Sequence, residues 1–377
     1  MTYDAIIVGG GIVGMSIGYH LVCAGARALL IDRADPGRAT DAGAGILAPE
    51  TNSRDAEAWF TFAEAAVGYY PELIERLRDD QAGETGYAVC GQLIVAASAD
   101  EDALFGEARH HVFERQRRRS APGPDELREV MPDEARALFP PLAPVRGALY
   151  FRNAARVDGR LLTAALRRAA QARGLKIEQA SVERLEIQSG AAAGVVAGGA
   201  RYAADAVAIA AGAWSQSFAE QLGARIPVAP QRGQIIHLSL PGVDTGSWPV
   251  VMGFHGHYMV AWPDSRVVVG ATRETGAGFA PHTTAAGVRE VLDEALRVAP
   301  GLGLAEVREI RVGLRPASPD GLPLLGAAPA AHNIYLAAGH GPTGLQLGPY
   351  SGKLVADLMR GQVAATDISA CDVARFS

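Results

Sequence analysis

The spacing of apolar positions along this chain changes several times, and each change marks an element. Residues 3–8 close on the continuous apolar run Ala5-Ile6-Ile7-Val8, the pattern of a strand buried on both faces. Gly9, Gly10 and Gly11 interrupt it. Residues 12–23 are then apolar with small residues at Gly14 and Gly18, which predicts a helix pressed against a sheet. A second run, 27–31, ends on Asp32. Strand, helix and strand in this order predict a βαβ unit with parallel strands. Residues 55–79 carry Trp59, Phe62, Ala66, Tyr69, Leu73 and Leu77 on one side of a helix. A strand is expected at 91–96, a charged helix at 100–119, and a proline-containing loop at 120–124. Asp158 as N-cap and Gly174 beyond the end frame a helix over 158–172. Strands follow at 176–178 and 181–185. An apolar strand over 206–214 runs into a small-residue turn and returns the chain to the first sheet. Between 227 and 311 the pattern changes to segments at 234–238, 257–261 and 266–270, spaced like an antiparallel meander, and then a helix at 284–298. A strand at 333–338, a glycine-rich loop at 339–344 and a helix at 345–360 complete the pattern.

A length of 377 residues predicts two domains. The composition, 49% hydrophobic and 20% charged, is that of an ordinary globular protein. A net charge of −6 gives no electrostatic basis for nucleic-acid binding. Cys23, Cys90 and Cys371 are scattered and form no CxxC, which fits a reducing compartment and argues against a disulfide framework or a metal site. The N-terminal apolar residues are accounted for as strand, turn and helix. No signal peptide is therefore expected, and a cytoplasmic location is. No uninterrupted apolar run reaches the roughly 18 residues of a membrane span. Peripheral membrane association and homo-oligomer formation stay open. The arginine run Arg115, Arg117, Arg118, Arg119 reads as a solvated helix end whose charge suits the C-terminal dipole.

The chemistry begins at Gly9-x-Gly11-x-x-Gly14. Gly9 permits a tight turn, Gly11 lets backbone approach a pyrophosphate, Gly14 lets helix and strand pack closely, and the helix N-terminus faces the phosphate charge. Asp32 follows at the place where a carboxylate accepts hydrogen bonds from a ribose diol. This unit predicts a bound dinucleotide without saying which. Residues 39–47, rich in Gly and Ala, have little side-chain bulk, so their backbone can lie against a flat ligand.

Two later blocks narrow the reading. Residues 312–326 are Val-Gly-Leu-Arg-Pro-Ala-Ser-Pro-Asp-Gly-Leu-Pro-Leu-Leu-Gly, and 338–349 are Ala-Gly-His-Gly-Pro-Thr-Gly-Leu-Gln-Leu-Gly-Pro. With the glycine turn, they resemble the D-amino-acid oxidase superfamily of flavoproteins over the whole chain. The nearest likeness is to glycine oxidase and bacterial D-amino-acid dehydrogenases. The resemblance implies a Rossmann-like α/β FAD-binding domain joined to an α+β substrate domain built on an antiparallel sheet. The division implied is 1–84, 146–229 and 312–377 for FAD, and 85–145 and 230–311 for substrate. It implies non-covalent FAD held by Gly9, Gly11, Ile12, Val13, Gly14, Asp32, Arg33 and Thr40 at the diphosphate and ribose. Ala44, Gly45, Ile46 and Leu47 would line the isoalloxazine and Val182 the adenine, with Ala211, Gly212 and Trp214 near the diphosphate. Gly341, Pro342, Thr343, Gly344, Leu345 and Gln346 would aim the last helix at the flavin's N1/C2-carbonyl edge. Arg315 would take the substrate carboxylate as a bidentate pair, with Tyr258 beside it.

The implied reaction is oxidative deamination of a small D-amino acid, glycine or secondary amino acid. A hydride passes from the α carbon to flavin N5, and the imine hydrolyses to an oxo acid. No general base is assigned to His257 or His340, which are expected to bond neighbouring backbone. Electrons would go to oxygen or to a quinone or other carrier. Residues 341–344 look more like dehydrogenase-type members, so a dehydrogenase is favoured over an oxidase. An FAD-binding subunit that needs a partner is the alternative, but the scattered cysteines hold no iron–sulfur motif. A nicotinamide enzyme is a third reading. Two departures from the resemblance matter: Pro342 stands where such sequences tend to carry an arginine, and Arg273 stands near the substrate where an apolar residue is common. Arg273 is therefore a candidate for favouring a polar or acidic substrate group.

Overall fold

The computed structural model describes residues 2–52, 56–329 and 331–376. The apolar run of the first strand, Thr2–Val8, is buried from Ala5 to Val8 because parallel strands flank it on both sides. Ala28–Ile31 lies on one side and Ala200–Ile209 on the other, in register Val8↔Ile31 and Val8↔Ile209. Lys176–Glu178 extends the sheet past Ala28–Ile31. Ile334–Ala338 extends it past Ala200–Ile209, and Leu324–Ala327 closes that edge antiparallel. The first half of Ala200–Ile209 pairs instead with Ala191–Ala197, which pairs with Val182–Gln188.

The helix Ile12–Cys23 packs against this sheet, and the last helix, Gly344–Met359, packs against it in turn. A Cβ on Gly352 would come within 2.5 Å of the Ser16 Cβ, so the two helices touch backbone to backbone. Ser16 Oγ donates to the Pro349 carbonyl at 2.7 Å. The last element is thereby fixed to the first, and both helix N-termini lie at the same edge of the sheet.

Among the described residues, the second sheet has nine strands. Its spine is the pair Ala229–Ser239 and Glu306–Ala317, antiparallel from Ala229↔Ala317 to Ser239↔Glu306. Arg266–Gly270 and Tyr258–Trp262 follow as the expected meander, and Val250–Met252, which was not expected, extends it. Gln92–Ala96 joins parallel to Val250–Met252, then Gly147–Phe151 and Leu127–Val130. The helix Ala285–Val298 lies on this sheet, burying Val291, Ala295 and Val298. A small sheet of Ile46–Leu47, Ala155–Arg156 and Ala88–Val89 joins the two halves. Among the described residues, no helix is long and apolar enough to cross a membrane.

The expected α/β and α+β architecture is present, with four local differences. The helix expected over 55–79, whose residue 55 lies outside the described residues, is two helices, Glu57–Gly68 and Tyr70–Asp79. Pro71 offers no N–H and its ring crowds the preceding turn, so the axis breaks at Tyr69. Gly147–Phe151, assigned by the expected boundary at 145/146 to the FAD-binding segment, pairs in the nine-stranded sheet. Glu306–Ala317 runs straight through the expected boundary at 311/312. The arginine run is not simply solvated: Arg115 is buried, donates to the Glu50 and Asn52 carbonyls at 3.2 and 2.8 Å, and lies 4.2 Å over the Phe60 ring. Arg119 pairs with Glu57 and Glu64.

Candidate active site

One cavity of about 660 Å³ runs from the glycine turn, past the last helix, to the nine-stranded sheet. Every sequence-predicted site residue lines it except Gly14 and Leu47. Gly14 acts through packing: a Cβ there would sit 2.0 Å from the Gly9 carbonyl oxygen, so only glycine lets the helix start this close to the strand. Leu47 is buried in the core on the far side of a two-residue strand, while its neighbour Ile46 faces the cavity. That is the two-residue alternation of a strand, and it corrects the expectation that all of 44–47 line one ligand face.

At the nucleotide end, Gly9 adopts φ +107°, and a Cβ would meet the Ala210 carbonyl oxygen at 2.4 Å. The Ile12 N–H donates to Thr40 Oγ1 at 3.1 Å, and the helix carries no side-chain cap. Its N-terminal dipole is left for a ligand. Asp32 Oδ2 lies 3.1 Å from Arg38 Nη1, yet it is buried and takes no hydrogen bond. Val182, Ala211, Gly212 and Trp214 line the same end. Arg33 sits 5.7 Å over the Trp214 ring, and Phe279 stacks on it at 5.6 Å.

In the middle, Gly45 has φ +75° and bonds Val157 through its carbonyl at 2.9 Å. With Ala44 it makes a flat wall of small residues. Opposite is the uncapped start of the last helix, from Gly341 to Gln346. Gln346 Oε1 accepts from the Ala48 N–H at 3.4 Å, and its Nε2 is buried with no hydrogen-bond partner among the described residues. The Tyr70 hydroxyl donates to the Leu345 carbonyl and steadies this turn.

At the far end, Arg315 projects from the spine strand with its guanidinium over Gly233, where a Cβ would sit 2.4 Å from Nη2. Arg315 Nη1 donates to the Thr272 carbonyl at 2.9 Å. Burial pushes the Arg315 pKa down, and the adjacent Tyr258 phenol opposes that shift. Burial pushes Tyr258 up, and the charges of Arg315 and Arg273 oppose it. Arg273 lines the cavity, is exposed, and forms no hydrogen bond or ion pair among the described residues. Burial drives His340 down to about 4, so it is neutral, and its Nε2 is tied to Ser351 Oγ at 2.9 Å. His257 lies outside the cavity, with Nδ1 donating to the His255 carbonyl at 2.9 Å. That contact to neighbouring backbone is as expected for His257, whereas the partner of His340 is a side chain. Sequence reasoning missed Gln92, Met252 and Phe254, which wall the far end. They come from separate strands and loops, and no contiguous motif marks them. Among the described residues, no cluster of His, Cys, Asp or Glu is arranged for a metal.

A glycine cradle at a helix start, continuous with a flat wall of small residues and a cationic far pocket, has the shape of a dinucleotide site that opens onto an anion-binding end. The model of the FAD dependent oxidoreductase family, DAO, matches residues 4–358, and the chain belongs to that family. The chain is 39% identical to an uncharacterized oxidoreductase, YurR, of Bacillus subtilis over 98% of both chains. It is 30% identical to glycine oxidase of Geobacillus kaustophilus, covering 99% of this chain and 97% of that one. Its fold matches iminodiacetate oxidase (IdaA) from Chelativorans sp. BNC1 with TM-score 0.90 and 39% identity over 98% of each chain.

The residues present fit FAD. The cradle accepts backbone-to-phosphate approach, the Asp32 carboxylate, ion-paired with Arg38, has an Oδ2 that takes no hydrogen bond among the described residues and can accept one from a ribose diol, and Gln346 Nε2 is a buried donor facing the cavity beside a positive helix end.

Proposed function

We propose that the chain oxidises a small α-amino acid or N-substituted glycine, using FAD held along this cavity, with Arg315 and Tyr258 taking the substrate carboxylate. The observation that carries the reading is Arg315. Its guanidinium spends one nitrogen on Thr272 and turns its remaining donors into a cavity shared with a dinucleotide cradle. The relatives named iminodiacetate oxidase and glycine oxidase support an amine substrate and support oxygen, over a carrier, as the acceptor. The sheet built around Thr2–Val8 would hold the dinucleotide and the nine-stranded sheet the substrate.

FAD supplies the two-electron acceptor. The chain's own work is binding and exclusion. Arg315 presents a planar fork that matches a carboxylate, worth more than neutral hydrogen bonds because the donor is charged and half-buried. Tyr258, kept protonated by burial, gives a further donor. Ile94, Met252 and Phe254 line the far end and keep water from it. Neither His340 nor His257 is placed to take a proton from substrate, so the amine must arrive neutral. The balanced reaction for an N-substituted glycine is amine plus oxygen plus water, giving the shorter amine, glyoxylate and hydrogen peroxide.

The test is peroxide production by the purified yellow protein under air with glycine, sarcosine, D-alanine and D-proline, each beside its carboxamide. The reading predicts turnover of at least one free acid and loss of that turnover in its amide. Equal turnover of acid and amide would overturn the role of Arg315.

A further inference from the structure

Among the described residues, the far end of the cavity holds the guanidinium groups of Arg315 and Arg273 and no carboxylate. Arg315 reaches in from the spine strand, and its Nη1 is bonded to the Thr272 carbonyl at 2.9 Å. Arg273 is the next residue after Thr272, so the Arg315 guanidinium is bonded to the residue that precedes Arg273, and both arginines line the cavity. Among the described residues, no carboxylate pairs with Arg273. The neighbouring Glu274 is fully engaged by Arg232, with Nη2 at 2.6 Å, by Gln234 Nε2 at 2.7 Å and by Thr272 Oγ1 at 2.7 Å. Asp32 and Asp35 line the opposite end beside the dinucleotide cradle. The Arg273 side chain lies along the cavity wall beside Gly256, where a Cβ would meet its Nε in ordinary contact at 3.6 Å. The Arg315 charge is disfavoured by the Arg273 charge, so the two sites sense one another. Two like charges at one pocket end cost free energy in the empty site, and a ligand carrying two negative charges removes that cost.

We infer that Arg273 is a second carboxylate-binding residue, and that the preferred substrate class is a dicarboxylic secondary amine, one carboxylate on Arg315 and the other on Arg273. This rests on the proposed amine oxidation and narrows it. The simplest such compound is iminodiacetate, a secondary amine with two carboxymethyl arms. Its oxidation loses two electrons and two hydrogens from one N–CH2 unit to oxygen, forming hydrogen peroxide. Water then adds to the C=N bond, and the C–N bond breaks to glyoxylate and glycine.

The experiment measures kcat/KM for iminodiacetate and for sarcosine, in the wild-type holoenzyme and in Arg273→Met, Arg273→Lys and Arg273→Glu, with FAD content and Tm as fold controls. The readout is the ratio of the two kcat/KM values. The inference predicts that Arg273→Met lowers this ratio about 100-fold, as expected for one charge-assisted hydrogen-bonded pair. Arg273→Lys retains part of the ratio, and Arg273→Glu lowers it further. The wild-type preference for iminodiacetate should also weaken as salt rises, because Arg273 is exposed. A ratio that stays within twofold in Arg273→Met overturns the inference while leaving the amine oxidation standing. A wild-type enzyme that turns over neither compound, nor any other amino acid, overturns the underlying reading instead.

Discussion

Replacing Arg315 with methionine separates substrate binding from cofactor binding. The side chain keeps an unbranched apolar stem and loses its charged fork. One nitrogen is committed to the Thr272 carbonyl at 2.9 Å, so a carboxylate meets the donors that remain. Two charge-assisted hydrogen bonds contribute roughly 1.5–3 kcal/mol each. Taking the lower end, about 3 kcal/mol of substrate interaction is lost, which is roughly a 150-fold fall in kcat/KM. The structural cost is smaller. One bond to Thr272 disappears, about 1 kcal/mol, which shifts Tm by about 2 °C in a chain of this size. Relief of like-charge repulsion from Arg273 acts in the opposite direction. The expected result is a strongly raised KM, FAD content near one per chain and a nearly unchanged Tm. The assays are steady-state kinetics, flavin absorbance against protein concentration and thermal unfolding. Loss of FAD, or a Tm fall beyond about 8 °C with KM unaltered, would refute the reasoning and make Arg315 structural.

Other expectations follow from the same geometry. His20 and His340 are held neutral by burial, each near 4, and His237 near 3, all below the ordinary value of 6.5. Their folded-state values are depressed, so the unfolded chain binds protons that the native chain does not. Stability is therefore full above about 6.5 and lost as pH falls toward 4, by roughly 3 kcal/mol per histidine. Denaturant titrations across pH 4–8 read this, and a flat profile contradicts it. Because no cavity histidine is placed as a base, kcat/KM should rise with pH and level off at the substrate's own amine pKa. A plateau that stays fixed when the substrate amine is changed would point to a base on the protein. Gly45→Ala puts a Cβ 1.7 Å from the Val157 carbonyl oxygen at φ +75°, and should cost at least about 3 kcal/mol and lower FAD retention. Gly25→Ala, at φ +85° with open space, should cost only about 1–2 kcal/mol. Equal Tm changes in the two variants would sink that distinction.

What was legible in the sequence is what is local. The cradle, its helix and Asp32 lie within some thirty residues, and their roles depend on short-range backbone geometry that glycine alone permits. The Arg315 and 341–346 segments stood out because each carries a contiguous pattern, and both line the cavity. What failed depends on partners far away in the chain. Leu47 turns to the core because it pairs with Ala155, a contact that nothing near residue 47 announces. Arg115 is buried because the carbonyls of Glu50 and Asn52 need a donor, not because of its neighbours in the basic run. Gln92 and Met252 reach the same wall because their two strands run side by side, with Val250 opposite Gln92 and Met252 opposite Ile94. The break at Tyr69 was readable from Pro71, but the continuous apolar stripe masked it.

The central claim is that the Arg315 end of the cavity brings a carboxylate-bearing amine to bound FAD. Anaerobic titration of the pure holoprotein with such amines, followed by its visible flavin absorbance, tests it most directly. The account predicts bleaching by at least one of glycine, sarcosine, iminodiacetate or a D-amino acid, and recovery of colour when air is admitted. A protein that binds FAD and stays yellow with all of them would contradict it.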